Sequence, residues 1–395
     1  MTRKRTQHSI KKLLRDESKL GPNAMLIGAP RSREHLATPA IVLDLDLFEF
    51  NLAAMVNYCR KAKLQLRPHA KTHKSSDLAK LQLKSGAVGI SVATLREAKV
   101  MVEAGVPGVL LTSPIVGATK IEAFVALVGR SKGLRVVIDN LASTQALEAS
   151  LKRVGKQLAV LVDVDIGMMR TGVIDVAGVL ALVRYLQSSK VLEFAGIQAY
   201  SGRVQHITSA AERARVYGGQ LKHLEAVLEA LAKAGHKPGI VSGGGTGTFD
   251  VDRGAGLLTE SQAGSYIFMD IEYEDVQLFA RGAQPFKTSL FLQSMVLSNN
   301  HSGSATIDAG FKSFSMDGPI PRPVRGVPAG AAYKFYGDEF GKITFARKGE
   351  ALELGAKVEL VTPHCDPTIN LHNYYHCVRG DKLVGIWLID ARGAL

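Results

Sequence analysis

Arg67-Pro68-His69-Ala70-Lys71-Thr72-His73-Lys74 follows the short apolar run Leu64-Gln65-Leu66 and precedes a helix-like segment over residues 75–83. A strand, a basic cluster and a helix in that order form the first unit of a pattern that repeats downstream. A lysine at a strand end, beside an arginine and two histidines, suits an amine that must be nucleophilic near neutral pH. Its usual pKa of about 10.4 falls when it is desolvated or placed near positive charge. Such a lysine can form a Schiff base with a carbonyl cofactor. The plainer reading is a solvated basic loop, and the rest of the chain must decide between them.

From residue 64 to about 271, short β-rich runs alternate with longer segments of helical period. Strands are expected over 65–71, 88–94, 108–114, 134–140, 158–165, 194–200, 239–243 and 263–269. Helices are expected over 95–104, 120–128, 143–154, 176–187 and 210–234. In the last of these, Leu221, Leu224, Val227, Leu228 and Leu231 recur at three- and four-residue steps, and Gly235 ends the run. Eight strands alternating with helices predict an α/β fold, a closed (β/α)8 barrel rather than an open sheet. After about Asp270 the alternation stops. Runs over 288–298, 304–309, 342–346, 356–362, 375–378 and 382–389 read as strands of an antiparallel β domain. An early strand over 40–45 precedes a helix over 47–62, with Phe48, Leu52, Met55 and Tyr58 along one side. That strand is expected to pair with the late ones. The expected organisation is a basic arm over 1–35, a barrel over 46–275, and a β domain built from 36–45 and 276–395.

The 395 residues are 46% hydrophobic and 22% charged, which is the balance of a soluble globular protein. The formal charge of +13 is partly local: residues 1–19 hold seven of the 49 Lys and Arg side chains against Asp16 and Glu17. No basic stripe with interleaved aromatics continues from there, so nucleic acid is not an expected partner. No apolar run is long enough for a membrane span or signal peptide. Cys59, Cys365 and Cys377 are widely spaced, which fits a reducing, cytoplasmic setting without a disulfide framework.

In a barrel of this kind the site is built at the carboxyl ends of the strands. Lys71 sits at the first of these ends and Arg170 on the loop after the fifth. Gln198-Ala199-Tyr200 ends the sixth, with Gln205-His206 following. After the seventh comes Ser242-Gly243-Gly244-Gly245-Thr246-Gly247-Thr248, whose backbone N–H groups and hydroxyls could close on a phosphate. Alone, such a stretch is more often a flexible turn; its place after the seventh strand of a barrel favours the phosphate. Gln262-Ala263-Gly264-Ser265-Tyr266 opens the eighth strand and could add an N–H and a hydroxyl. In the late domain, Pro363-His364-Cys365-Asp366-Pro367 would, if extended, put His364 and Asp366 on one side with Cys365 facing away. Imidazole plus carboxylate suits Mn²⁺, Mg²⁺ or Co²⁺; a hydrogen-bonded His–Asp pair in a turn is the other reading. His206, His372 and His376 carry weaker signals.

Together these stretches resemble the fold-type III pyridoxal-phosphate enzymes with an alanine-racemase-like barrel, in the branch of D-threonine aldolase and D-serine dehydratase. The resemblance spans most of residues 36–393. It implies that Lys71 anchors pyridoxal 5'-phosphate and that Ser242, Gly244, Gly245, Thr246, Ser265 and Tyr266 grip its phosphate. It implies that Arg170, Tyr200 and His69 line its ring, and that His364 and Asp366 hold a divalent metal. The dehydratases generally carry His-x-Cys at the metal pair, whereas this chain carries the His-x-Asp of the aldolases. Phe340 stands where relatives more often have histidine. The implied reaction is retro-aldol cleavage of a β-hydroxy-D-amino acid to glycine and an aldehyde. His206 or a metal-bound water would take the hydroxyl proton. Dehydration of D-serine or 3-hydroxy-D-aspartate is the alternative, and a non-catalytic carrier of the cofactor would have no use for the metal pair. The family also implies a homodimer.

Overall fold

The computed structural model describes residues 20–393. Its first strand, Ala40–Asp44, runs into helix Leu45–Ala62, where Asp44 accepts the N–H groups of Asp46 and Leu47 and so starts the helix. Lys63, in the left-handed region at φ 54°, ends it. The chain then enters eight short parallel strands: Gln65–Leu66, Ile90–Val92, Val109–Leu111, Arg135–Ile138, Leu158–Asp163, Leu192–Ala199, Ile240–Gly243 and Glu260–Ser261. Each strand of the series pairs with the next from Ile90–Val92 onward, and Glu260–Ser261 pairs with Gln65–Leu66. The seam closes where His69 bridges Ser91, whose N–H donates to Pro68 O at 2.9 Å. The (β/α)8 barrel is therefore complete.

Successive residues on these strands face opposite ways. Leu110, Val137 and Leu161 pack together as one small cluster. Their neighbours, such as Val109, Val136, Val160 and Val162, pack with Leu147, Val183, Leu224 and Leu231 of the surrounding helices. Within the basic stretch, Arg67 and Lys74 are structural. Arg67 grips Glu260 at 2.7 and 2.9 Å across the first and last strands, and Lys74 holds Glu97 at 2.6 Å. A Cβ on Gly89 would lie 2.0 Å from the Arg67 guanidinium, so this buried pair dictates a glycine just before the next strand.

Two barrel strands differ from expectation. The first stops at Leu66, since Pro68 has no N–H for the ladder, and Lys71 lies on the 3₁₀ turn Ala70–Thr72. The eighth is Glu260–Ser261, while the apolar run over 263–269 is not a strand and contains the turn Ser265–Ile267. Tyr266, Ile267, Phe268 and Met269 are buried because they fill the core under the second sheet. A short buried run reads the same whatever backbone carries it.

The second sheet has nine strands. Its main path runs Ala332–Phe335, Gly341–Thr344, Ser304–Ile307, Leu290–Ser298, Ala40–Asp44, Tyr374–Arg379 and Lys382–Leu388; Lys357–Val361 pairs with Leu290–Ser298 and with Arg322–Arg325. All pairings are antiparallel except that of Ala40–Asp44 with Tyr374–Arg379. The early strand thus sits at the centre of the late domain, antiparallel to one neighbour and parallel to the other. Arg322–Arg325 and Ala332–Phe335 escape a sequence reading, the first because Arg-Pro-Val-Arg is charged and largely exposed.

Of the arm expected over 1–35, residues 1–19 lie outside the described residues. Residues 20–35 are packed: Leu20 and Asn23 are buried, and Arg33 makes a buried, two-pronged pair with Glu359 at 2.7 Å on each prong. No helix among the described residues is long and apolar enough to cross a membrane.

Candidate active site

His69 caps the turn that carries Lys71. Its Nδ1 accepts the Lys71 N–H at 3.3 Å, and its Nε2 lies 3.2 Å from Thr112 Oγ1. The Lys71 side chain projects into a cavity of about 230 Å³ at the carboxyl ends of the strands, whose walls include His69, Thr112, Arg170, Tyr200 and Gln262. Arg170 is set there by Asp165, whose carboxylate accepts the N–H groups of Gly167, Met168 and Met169. The Arg170 guanidinium then lies 5.8 Å from the Tyr200 ring centroid. Lys71, His69, Arg170 and Tyr200 therefore share one cavity.

The floor of this cavity is a hydrogen-bonded network without an assigned role in the sequence reading. Gln262 Nε2 donates to Gln198 Oε1 (3.1 Å) and Ser242 Oγ (2.9 Å); Gln198 Nε2 donates to Asp163 Oδ1 (2.9 Å). Burial pushes the Asp163 carboxyl up to about 6, opposed by its bonds from Gln198 and Thr171. Gln198 and Gln262 stood in the quoted motifs; Asp163 and Thr112 gave no signal, being single polar residues at the ends of apolar strands.

Behind Gln262 lies the glycine-rich loop, folded tightly rather than as a loose turn. Gly245 N–H donates to Thr248 Oγ1 (3.0 Å), Gly247 N–H to Gln205 Oε1 (2.8 Å) and Tyr266 N–H to Thr246 Oγ1 (3.1 Å). A Cβ on Gly247 would meet Gln205 O at 2.1 Å, and Gly244 has φ +66° with Asp252 beside it. Ser242, Thr246 and Ser265 are buried along this loop. Tyr266 brings only its backbone to the loop, its ring being sunk in the core with its hydroxyl 3.4 Å from Gln82 Nε2.

The expected metal pair also sits differently on the backbone. His364 is extended (φ −140°, ψ 124°) and caps a short helix, Cys365–Ile369, whose first turn holds Asp366. An acidic residue followed by proline favours a helix start over a continuing strand. The two side chains still approach, with His364 Nε2 4.0 Å from Asp366 Oδ2. Cys365 turns away into the core, its Sγ against Thr362 and its N–H donating to Asp270 at 2.8 Å. Asp366 Oδ2 lies 2.9 Å from Lys71 Nζ, which brings the late-domain pair to the barrel lysine.

The electrostatics overturn one expectation. Lys71 is held above its usual pKa, because Asp366 outweighs the burial that would lower it. Burial would raise Asp366, but Lys71 and then His364 hold it well below the usual carboxylate range. Burial lowers His364, yet Asp366, Asp270, Asp317 and Glu272 carry it above its ordinary value. His206, 3.7 Å from Glu272 and with its ring tilted against Tyr273 at 4.6 Å, is lowered to about 4, chiefly by burial and then by His364 and Lys71. Among the described residues no three His, Cys, Asp or Glu side chains form a metal-binding group. Asp366 Oδ1 is nevertheless buried without a hydrogen-bond partner among them, an orphan acceptor of the kind a cation satisfies. His372 and His376 bond to Ser313 O and Ile41 O, away from the pair, and are structural.

A lysine at the mouth of a parallel barrel, backed by a glycine loop and completed by a β domain, defines a fold-type III pyridoxal-phosphate enzyme. The chain belongs to the family described as alanine racemase, N-terminal domain, which matches residues 43–272, and a putative serine dehydratase domain matches residues 289–378. It is 37% identical over 366 residues to a D-threonine aldolase from Arthrobacter sp, covering 93% of this chain and 95% of that protein. It is 32% identical to a 3-hydroxy-D-aspartate aldolase from Paracoccus denitrificans, covering 91% and 92%. Its fold superposes on the crystal structure of D-threonine aldolase from Filomicrobium marinum with a TM-score of 0.86 at 34% identity, covering 91% of this chain and 96% of that one.

Proposed function

We propose that this protein is a carbon–carbon lyase that cleaves β-hydroxy-D-amino acids, D-threonine or D-allo-threonine giving glycine and acetaldehyde. The observation that carries the reading is the 2.9 Å contact between Lys71 Nζ and Asp366 Oδ2, which links the lysine on the cavity wall to the metal-type pair of the β domain and so supports a common site. Its aldolase relatives act on substrates of this class.

Lys71 would hold pyridoxal phosphate, Arg170, Tyr200 and His69 would flank its ring, and Ser242, Gly244, Gly245, Thr246, Ser265 and the Tyr266 backbone would surround its phosphate. When bound, that cofactor supplies an electron sink for charge developing at the substrate Cα. His364 and Asp366 would hold the metal, Mn²⁺ first and Mg²⁺ or Co²⁺ as alternatives, which when bound supplies Lewis acidity towards a hydroxyl. The oxygen donor of Asp366 suits such hard ions, and the buried Cys365 thiol is turned away from them. His206, lowered by burial and then by His364 and Lys71, would be in the neutral form from which a β-hydroxyl proton can be accepted, as a weakened base. Arg170, with its guanidinium 5.8 Å over the Tyr200 ring, would present a positive charge to the cavity. The barrel floor of Gln198, Gln262 and Asp163 keeps this end of the cavity hydrogen-bonded and rigid.

The three cysteines are free and buried, which supports work in the reducing cytoplasm. Met169 and Met316, beside the loops of Arg170 and His364, are exposed by 77% and 65%, apolar surface near the site that supports a homodimer. The test is the product formed from D-threonine with pyridoxal phosphate and Mn²⁺. Equal amounts of glycine and acetaldehyde are expected, whereas 2-oxobutanoate and ammonia would make the enzyme a dehydratase.

A further inference from the structure

We infer that Asp317 is a positioning residue for the metal, acting through His364; this rests on the reading of His364 and Asp366 as metal ligands. A neutral imidazole ligates through one ring nitrogen, and the hydrogen bond made by the other decides which. His364 Nδ1 lies 2.9 Å from Asp317 Oδ2, while Nε2 is the nitrogen turned towards Asp366. With Nδ1–H donating to Asp317, the Nε2 lone pair faces the space beside Asp366. Glu272 approaches the same Nδ1 only to 3.9 Å, beyond hydrogen-bond reach.

The segment carrying Asp317 is fastened to the helix carrying Asp366. Ser315 N–H donates to Thr368 Oγ1 (3.0 Å), and Ser315 Oγ donates to His364 O (3.2 Å). His372 Nε2 meets Ser313 O at 2.9 Å in the same segment. Gly318 follows, packed so closely that a Cβ there would stand 3.3 Å from Pro363. The carboxylate is thus delivered to His364 by a built contact. The Asp317 side chain is itself 55% exposed, and exposed ion pairs contribute little to stability. Its removal therefore moves metal affinity more than folding.

The experiment is calorimetric titration of Mn²⁺ into the cofactor-loaded full chain, as wild type, D317A, D317N and E272Q, with the Tm of each. D317A is expected to bind Mn²⁺ about 10- to 100-fold more weakly at unchanged Tm. D317N, whose amide oxygen still accepts from Nδ1–H, recovers part of that loss, and E272Q loses less than D317A. Wild-type affinity in D317A, or a greater loss in E272Q, overturns the inference. A loss that tracks a fall in Tm makes Asp317 merely structural and also overturns it. Wild-type protein that takes up no Mn²⁺ overturns the metal reading itself, and this inference with it.

Discussion

Asp366 stands between two partners, Lys71 Nζ at 2.9 Å and His364 Nε2 at 4.0 Å, and each holds its carboxyl in the charged form. Its neighbour Cys365 meets neither. Asp366→Asn keeps the shape and removes the charge, so it is expected to cost activity at least as much as losing a ligand's hydrogen-bonding partner, roughly 10–100-fold. Cys365→Ala is expected to leave turnover near wild type. Steady-state kinetics over a range of Mn²⁺ concentrations checks both, and the reverse order would assign the metal to the thiol. Lys71, His364 and Asp366 stood out in the sequence as candidates because their residue types and spacing are unusual. The raised amine pKa of Lys71, opposite to the expected depression, was not legible there, because the carboxylate that raises it lies 295 positions away and no local pattern pairs the two. Asp317 gave no signal for the same reason: its partner His364 is brought to it only by the fold.

At the scale of elements, the glycine-rich loop is held by close approach rather than by flexibility. Gly247→Ala puts a methyl 2.1 Å from the Gln205 carbonyl and forces backbone to move. Overpacking of this kind costs about 1–3 kcal/mol, and the expected result is lower pyridoxal-phosphate occupancy, read from the cofactor's visible absorbance. Gly218→Ala is the contrasting case. It lies inside helix Ala210–Lys233 with open space around its Cβ, so it is expected to stabilise the fold by about 0.5–1 kcal/mol and raise Tm with occupancy unchanged. Equal occupancy in both variants would argue that the loop does not hold the cofactor. The long helices were legible to within a residue or two, since their apolar stripes repeat many times. The short strands were not: Pro68 ends the first early, and the buried run over 263–269 has the composition of a strand but lines a core from a turn.

Across the whole molecule, the barrel brings the lysine and the β domain brings the metal-type pair, so neither half holds the site alone. The late domain is tied down by the central strand Ala40–Asp44 and by Arg33, which reaches Glu359 in a buried pair. Removing one partner of such a pair leaves a buried charge, which accounts for residues 20–35 being packed rather than trailing as an arm. The alternation of eight strands and helices made the barrel legible, and the change of period after Asp270 marked the second sheet. How strand Ala40–Asp44 would insert, parallel on one side, was beyond sequence pattern because that register is set by both chain ends together. The most direct measurement is an anomalous-scattering map of crystals grown with pyridoxal phosphate and Mn²⁺. One manganese peak is expected between His364 Nε2 and Asp366, in the same cavity as cofactor density joined to Lys71 Nζ. Manganese elsewhere, or cofactor density in a cavity that does not reach Asp366, would contradict that expectation.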